Sequence, residues 1–497
     1  MVLPLVCTLG TVSPQAVGIV VVTALGMIQV VVTIVAAAVT SLVFATAKAP
    51  WTLSRASRLV AKAPTATVIA CVAGMLVLAS PWGGARFAAA LTYGEIARGA
   101  VFLVLFGGFL CAAPALFDTY PRTMTAFRTH IETRWPERWL ASRLRNPLDA
   151  WFIRLVMYES LLTLPGFVAV FVPGWFNPYT VTLYIGGLIS VQMFHEILDH
   201  TNIHNNLFAH THLKNRFDRG VVGFLGFYQE FILNPLCGRI PHGYRVQHVY
   251  VHHVENNGQL DNQSTLKLDL TSCFDFARHC FRMSWSSAFP IDVAAYLIER
   301  RRHRPLRALL VGHGVYYAAL VGLAFLCWPA ALGIFVMRYI DTIGSVFLAF
   351  LWHGFIDEAD PKNLFRNTLN IHNTEDEHGF FGTNFHLEHH LKPSRHWSLL
   401  GADAETNRTL HHDEHVITLR DIGPPSFVKA AWTGNFRRIA ELCIEPQLES
   451  GEDPNARLDR LASLLEERAR RHRRPYSPAW QAIDQRVTHL LGSVMPP

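Results

Sequence analysis

The apolar residues of this chain run in long blocks broken by short polar turns, and most blocks are long enough to cross a bilayer. Residues 1–47 contain no charged side chain. The stretch 17–45 exceeds the roughly 20 apolar residues that span about 30 Å of hydrocarbon as a helix. Further apolar runs cover 65–82, 99–117, 151–172, 179–194, 308–328 and 331–352. The run 151–172 is separated from 179–194 only by 173–178, where Trp175 suits the outer turn of a membrane hairpin, and the last two runs turn at Pro329. Residues 201–307 hold no span. Their one apolar piece, 221–236, is interrupted by Tyr228, Gln229 and Glu230 and reads as a helix lying in the interface. The pattern predicts an all-α membrane protein of seven spans, arranged largely as transmembrane helical hairpins. The first block lacks the basic start and short apolar core of a secretory signal, so it is read as a span.

Charge then fixes the expected orientation. The basic loops at 48–62, 122–145, 214–245 and 300–307 fall on one side, and the turns near 82–98, 173–178 and 329–330 on the other, with no span flipped. This places the N-terminus outside and the polar 201–307 region in the cytoplasm. Three regions are expected: a membrane extension of three spans at 1–120, a core of four spans with a cytoplasmic cap at 121–400, and a soluble cytoplasmic tail at 401–497. In that tail Leu458, Leu461, Leu464 and Leu465 stripe a helix that reads as a surface or oligomer helix. The composition, 50% hydrophobic and 16% charged, argues against an ordinary soluble enzyme, and no nucleic-acid partner is expected. Eight cysteines without a Cys-x-x-Cys pair exclude a zinc ribbon and a redox dithiol, and read as packing residues or free thiols.

The chemistry lies in the histidines. Of 25, 9 fall between His195 and His253 and 10 between His353 and His415, which random placement does not explain. They form three boxes: His195 with His200, His248 with His252 and His253, and His386 with His389 and His390. A single tetrahedral zinc takes three or four ligands, so eight imidazoles in apposed loops argue for two metals. Any single one outside the boxes, such as His210, His212, His242 or His396, reads as an ordinary polar loop residue. His200 and His204 share a helix face, whereas His195 and His200 are about 140° apart and converge only if the helix ends or bends between them. Asp199 stands where a zinc protease would carry the histidine of His-Glu-x-x-His, which excludes that class. Glu196, Asp199 and Glu388 could accept the second ring N–H of a ligating histidine, or could be plain solvated acids.

The boxes His-x4-His, His-x3-His-His and His-x2-His-His resemble those of the membrane fatty acid desaturase superfamily, and the resemblance covers roughly residues 150–400. The stretch Leu391-Lys392-Pro393-Ser394-Arg395-His396-Trp397 is similar to that family as well. The resemblance implies a cap holding two iron ions on His195, His200, His248, His252, His253, His386, His389 and His390. A ninth ligand is expected from the end of the last span, at His353, with His204, His372 and His378 as rivals. Implied too is the use of oxygen and two external electrons to desaturate a fatty acyl chain. Hydroxylase, acetylenase and alkene-forming decarboxylase remain as alternatives within the same chemistry.

That chemistry fits a physical need, because an unactivated C–H bond is beyond any amino-acid side chain. An acyl chain offers only apolar surface, so an apolar tunnel between the spans is expected to select the methylene, at about 0.8 kcal/mol per buried CH2. The sequence carries no haem motif of a fused cytochrome, no flavin fingerprint and no iron–sulfur cysteine set. Electrons are therefore expected from a separate carrier such as ferredoxin or a cytochrome, and the basic face would suit an acidic one. The partners expected are this carrier, membrane lipid and a fatty acyl group that is free or linked to coenzyme A, a carrier or a lipid. A histidine-rich metal transporter is the alternative of a different class, but only His313 lies well inside a span.

Overall fold

The computed structural model describes residues 64–81, 94–117, 123–133, 135, 137–172, 174–175, 177–360, 363–373, 381–444, 453–470 and 478–495. The first apolar block, 17–45, and His378 lie outside them. The principal helices are α1 (Pro64–Ala79), α2 (Gly94–Phe117), α3 (Met124–Thr133), α4 (Ala150–Ala169) and α5 (Pro178–Asn205). There follow α6 (Arg216–Tyr228), α7 (Cys273–Ala288), α8 (Ile291–Glu299) and the long α9 (His303–His353). The remainder is α10 (His386–Leu391), α11 (Pro424–Trp432), α12 (Pro454–Arg470) and α13 (Pro478–Val494), with one parallel pair of short strands, β1 (Asn370–His372) and β2 (Thr418–Arg420).

Among the described residues, four helical stretches are long and apolar enough to cross a membrane: Pro147–Ala169, Tyr179–Asn205, His303–Trp328 and Ala330–His353. The last two are the halves of α9, whose backbone leaves helical geometry at Cys327 (φ −159°, ψ 85°), two residues before Pro329. A proline lacks the N–H of the helical ladder and crowds the preceding turn, so the break falls there. α1 is apolar throughout, but its 16 residues reach only about 24 Å. The segment 221–236 is helical and carries exposed Phe224, Phe227 and Ile232, as an interfacial helix would.

α5 organises the rest. Its start is fixed by Asn177, whose side chain accepts from the Tyr179 and Thr180 N–H groups at 3.0 and 3.3 Å while Thr180 Oγ1 accepts from Asn177 N–H, with Pro178 at the first helical position. Its end is Asn206, in the left-handed region at φ 52°. Between them the helix is unbroken for 28 residues. It lies along α4 in backbone contact, since a Cβ at Gly187 would stand 1.9 Å from the Leu162 carbonyl oxygen and one at Gly166 would stand 2.7 Å from Tyr184 N. Only glycine permits that approach.

Two cores flank the histidines. One, with fully buried Met75, Phe109, Phe152, Leu162 and Val191, joins α1, α2, α4 and α5. The other joins α7 and the end of α9 to α11, α12 and α13 through Phe276, Phe350, Phe427 and Leu465. The leucine stripe of α12 is therefore used inside the chain and not as a free surface or oligomer face. Leu458, Leu461 and Leu465 pack into this core and Leu464 points outward. The Leu270 N–H also donates to the Ala469 carbonyl at 2.9 Å.

Candidate metal centre

Local backbone geometry decides which histidines meet. Along a continuous α-helix, residues five apart stand about 140° apart and residues four apart share a face. Because α5 neither ends nor bends before Asn205, His200 pairs with His204, their ring centroids 5.0 Å apart, and His195 points elsewhere. The second box uses a different device. Residues His248–His252 form a π-helical turn in which the His253 N–H donates to the His248 carbonyl, five residues back. That turn brings His248 and His253 onto one face, with their Nε2 atoms 3.2 Å apart. In the third box the short α10 puts His386, His389 and His390 side by side, and His353 arrives as the last residue of α9.

The result is two groups of four imidazoles, His200, His204, His248 and His389 in one and His252, His353, His386 and His390 in the other. Within each, one ring nitrogen per residue lies within 4.8 Å of the others. Each of the second and third boxes divides its histidines between the groups, so the two are neighbours. His253 stands at their junction, with ring centroids 4.7 Å from His389 and 4.4 Å from His390. The Nε2 atoms of His200 and His248 are 3.1 Å apart, those of His353 and His386 3.0 Å, and those of His386 and His390 3.2 Å. Such separations suit neighbouring ligands each about 2.1 Å from one ion. His204 Nε2 and His389 Nε2 are buried without a hydrogen-bond partner, as a ligand nitrogen would be.

The geometry departs from three expectations. His195 joins neither quartet, and its Nδ1 lies 2.9 Å from Glu159 Oε2. His204 takes the place in the first quartet that the x4 spacing assigned to His195, while His372 is exposed at the end of β1. Glu196, Asp199 and Glu388 are buried but do not serve the quartets. The first two are bound by Arg239, and Glu388 by Asn370 at 2.8 Å and His411 at 2.6 Å. The acceptors actually present are Asp261, 2.7 Å from His252 Nδ1, and the Asn367 carbonyl, 2.9 Å from His353 Nδ1. Asp261 lies in a turn with no histidine in it, so its role leaves no motif in the sequence.

Asp261 is held in place by the N–H groups of Asn257 at 3.0 Å and Gln263 at 2.8 Å. Burial would raise its carboxyl, but His252 and the Gln263 N–H outweigh that and hold it below the usual carboxylate value. It can therefore fix His252 as the Nδ1–H tautomer with Nε2 free to ligate. Asp261→Asn is expected to weaken metal binding by about 10- to 100-fold with the helical content unchanged, measured by competition with a chelator.

Burial, and then the neighbouring imidazoles, push His248, His253, His386, His389 and His390 well below the ordinary 6.5. All five are neutral near pH 7, the form that ligates. Their folded values are depressed, so the unfolded chain binds protons first. Stability is fully present above pH 6.5 and is lost as the pH falls from there toward the native values, by up to about 1.4 kcal/mol per pH unit for each histidine. Chelator-treated protein is expected to show that loss as a falling melting temperature between pH 7 and 5.

A cavity opens against His248, His252, His353 and His386. Its wall is mixed, with Glu196, Arg239, Tyr244, Asp341, Thr342 and Ser345 beside the apolar Ile240, Met283, Leu348, Ala349 and Trp352.

No curated protein and no solved structure matches the sequence. A family comparison does, over residues 173–422, half of the chain and the half that carries every histidine of both quartets. The match is to the fatty acid desaturases, and with the two histidine groups it identifies the chain as a member of the fatty acid desaturase family.

Proposed function

We propose that the protein is a di-iron, oxygen-dependent oxidoreductase that desaturates a fatty acyl chain at the cytoplasmic face of a membrane. The observation that carries this is the pair of adjacent, buried, all-imidazole quartets. Imidazole suits iron, and two groups of four accommodate two ions. His200, His204, His248 and His389 would hold one and His252, His353, His386 and His390 the other, with His253 between them. Two irons bound there would supply the oxygen activation and C–H cleavage that side chains cannot. The chain's own residues keep the ligands neutral, fix the His252 tautomer through Asp261, and present the substrate through the cavity beside His353 and His386. Two electrons would come from a separate carrier such as ferredoxin or a cytochrome.

Membrane embedding is supported by the outer faces of the apolar helices, where Leu103, Val104, Val321, Phe325 and Leu326 are exposed on a scale that water does not favour. The basic loops, all on the side of the quartets, support a cytoplasmic position for them. A second reading, hydroxylation, draws on the polar groups within the cavity wall, Glu196, Tyr244 and Ser345 among them, since hydrogen-bonding groups next to the oxidised carbon suit a product or substrate with a polar substituent there.

The test is Mössbauer spectroscopy of detergent-purified protein grown on labelled iron, followed by mass spectrometry of acyl substrates incubated with a reductant and oxygen. Two coupled irons and loss of two hydrogens support desaturation. Gain of one oxygen moves the assignment to hydroxylation, and absence of iron refutes the oxidative reading.

A further inference from the structure

His195, left out of both quartets, has company of its own. Glu159 on α4, His195 on α5 and Cys237, just past the turn Asn234–Leu236, bring a carboxylate oxygen, a ring nitrogen and a sulfur within 4.8 Å of one another. All three side chains are essentially inaccessible, at 0%, 0% and 1% exposure. The backbone around Cys237 is rigid. Its N–H donates to the carbonyls of Leu233 and Asn234, and the next residue, Gly238, adopts φ 101° where a Cβ would stand 2.7 Å from the Met337 carbonyl oxygen.

One atom in this group lacks a partner. Glu159 Oε2 is 2.9 Å from His195 Nδ1, and His195 also meets the Cys237 thiol, but Glu159 Oε1 is buried without a hydrogen bond. Leaving such a group unsatisfied is costly, and more so when it is charged. The charge count is also unbalanced. Glu159, Glu196, Asp199 and Asp341 are buried close together, and Arg239 is the guanidinium that binds three of them. A divalent cation held by one thiolate, one imidazole and one carboxylate would satisfy the orphan oxygen and, with the thiol proton lost, reduce that excess of negative charge by one.

We infer that Glu159, His195 and Cys237 form a third metal site, separate from the histidine quartets, that takes zinc and ties α4, α5 and the 234–238 turn together. The donor set of sulfur, nitrogen and oxygen is one that zinc accepts, whereas the quartets offer nitrogen alone. On binding, the Cys237 thiol gives up its proton to solvent, and thiolate, carboxylate and the divalent ion balance in charge. Glu159 and Cys237 belong to none of the three boxes, and among the described residues Cys237 is the one cysteine in a group able to hold a metal.

The test is elemental analysis of the full chain purified in detergent without an immobilised-metal step, with zinc-edge X-ray absorption on the same sample. The expected result is about one zinc per chain with a sulfur neighbour at about 2.3 Å. In Cys237→Ala and in the near-isosteric Cys237→Ser, zinc falls below about a tenth per chain while iron and elution volume are unchanged. Absence of zinc from the wild type overturns the inference, as does zinc unchanged in Cys237→Ala, or zinc with only nitrogen and oxygen neighbours, which would place it in the quartets. Should both variants misfold, the sulfur signal of the wild type decides alone. The inference does not depend on the iron assignment, since the iron content of the same sample is read separately.

Discussion

Replacing His389 and His390 together by Ala is expected to leave the purified chain with less than about a tenth of its iron, and to lower conversion of any acyl substrate by at least about 100-fold. The size of the effect follows from where these neighbours point. His389 belongs with His200, His204 and His248, and His390 with His252, His353 and His386, so one two-residue change removes a ligand from both groups. Loss of an outer-shell partner already costs about 10- to 100-fold in affinity, and loss of a ligand nitrogen costs more. The helix that carries them is short, and its Leu387 is fully buried in contact with the rest of the fold, so helical content should persist. His389→Ala alone should remove one iron and leave the other, which a family of histidines acting as mere packing would not do. Retention of all the iron in the double variant would refute the assignment of the quartets. Metal analysis with circular dichroism on the same preparation separates that outcome from simple unfolding.

The existence of the site was legible in the sequence, and its wiring was not. Period and charge expose the apolar helices and the three boxes, because a bilayer demands long apolar runs and a metal demands clustered imidazoles. The partner of His200 depended on whether α5 continues beyond 200, and it does, to Asn205, so the i,i+4 residue His204 meets His200 and the i,i+5 residue His195 does not. The second box runs the other way. There the π-turn lets residues five apart converge, and nothing in the composition of Gln247–His253 announces a π-turn. Asp261, Asn367 and His411 act through contacts made by folding, without any spacing rule. The leucine stripe of α12 was correctly read as an amphipathic helix, but the partner of its apolar face, the core under α9 and α11, is a tertiary fact.

Arg239→Met is expected to destabilise the protein by about 3–5 kcal/mol and to lower its metal content with it. Arg239 is 4% exposed and binds Glu196 through Nη2, Asp199 through Nη1 at 2.8 Å and Asp341 through Nε at 3.3 Å, so one side chain joins two carboxylates of α5 to one on α9. Burial alone would lower its pKa, but the carboxylates of Asp341, Glu196 and Asp199 outweigh burial and raise it, so it is charged at any working pH. Its guanidinium also lies 4.2 Å from the centre of the Tyr244 ring, and Tyr244 donates to Glu196 at 2.9 Å while lying 5.0 Å from the His248 ring. Removing the guanidinium leaves three buried carboxylates facing one another, and each can relax only by taking up a proton or admitting water. Lys cannot stand in, because one ammonium cannot reach three acceptors that a planar fork serves at once. Glu196→Gln and Asp341→Asn added to Arg239→Met should restore part of the lost stability, since two of the three stranded charges are then gone. If the triple variant melts no higher than Arg239→Met, the cost lies in lost packing on Tyr244 and not in charge; if Arg239→Met melts with the wild type, the network does not hold α5 in register against His248.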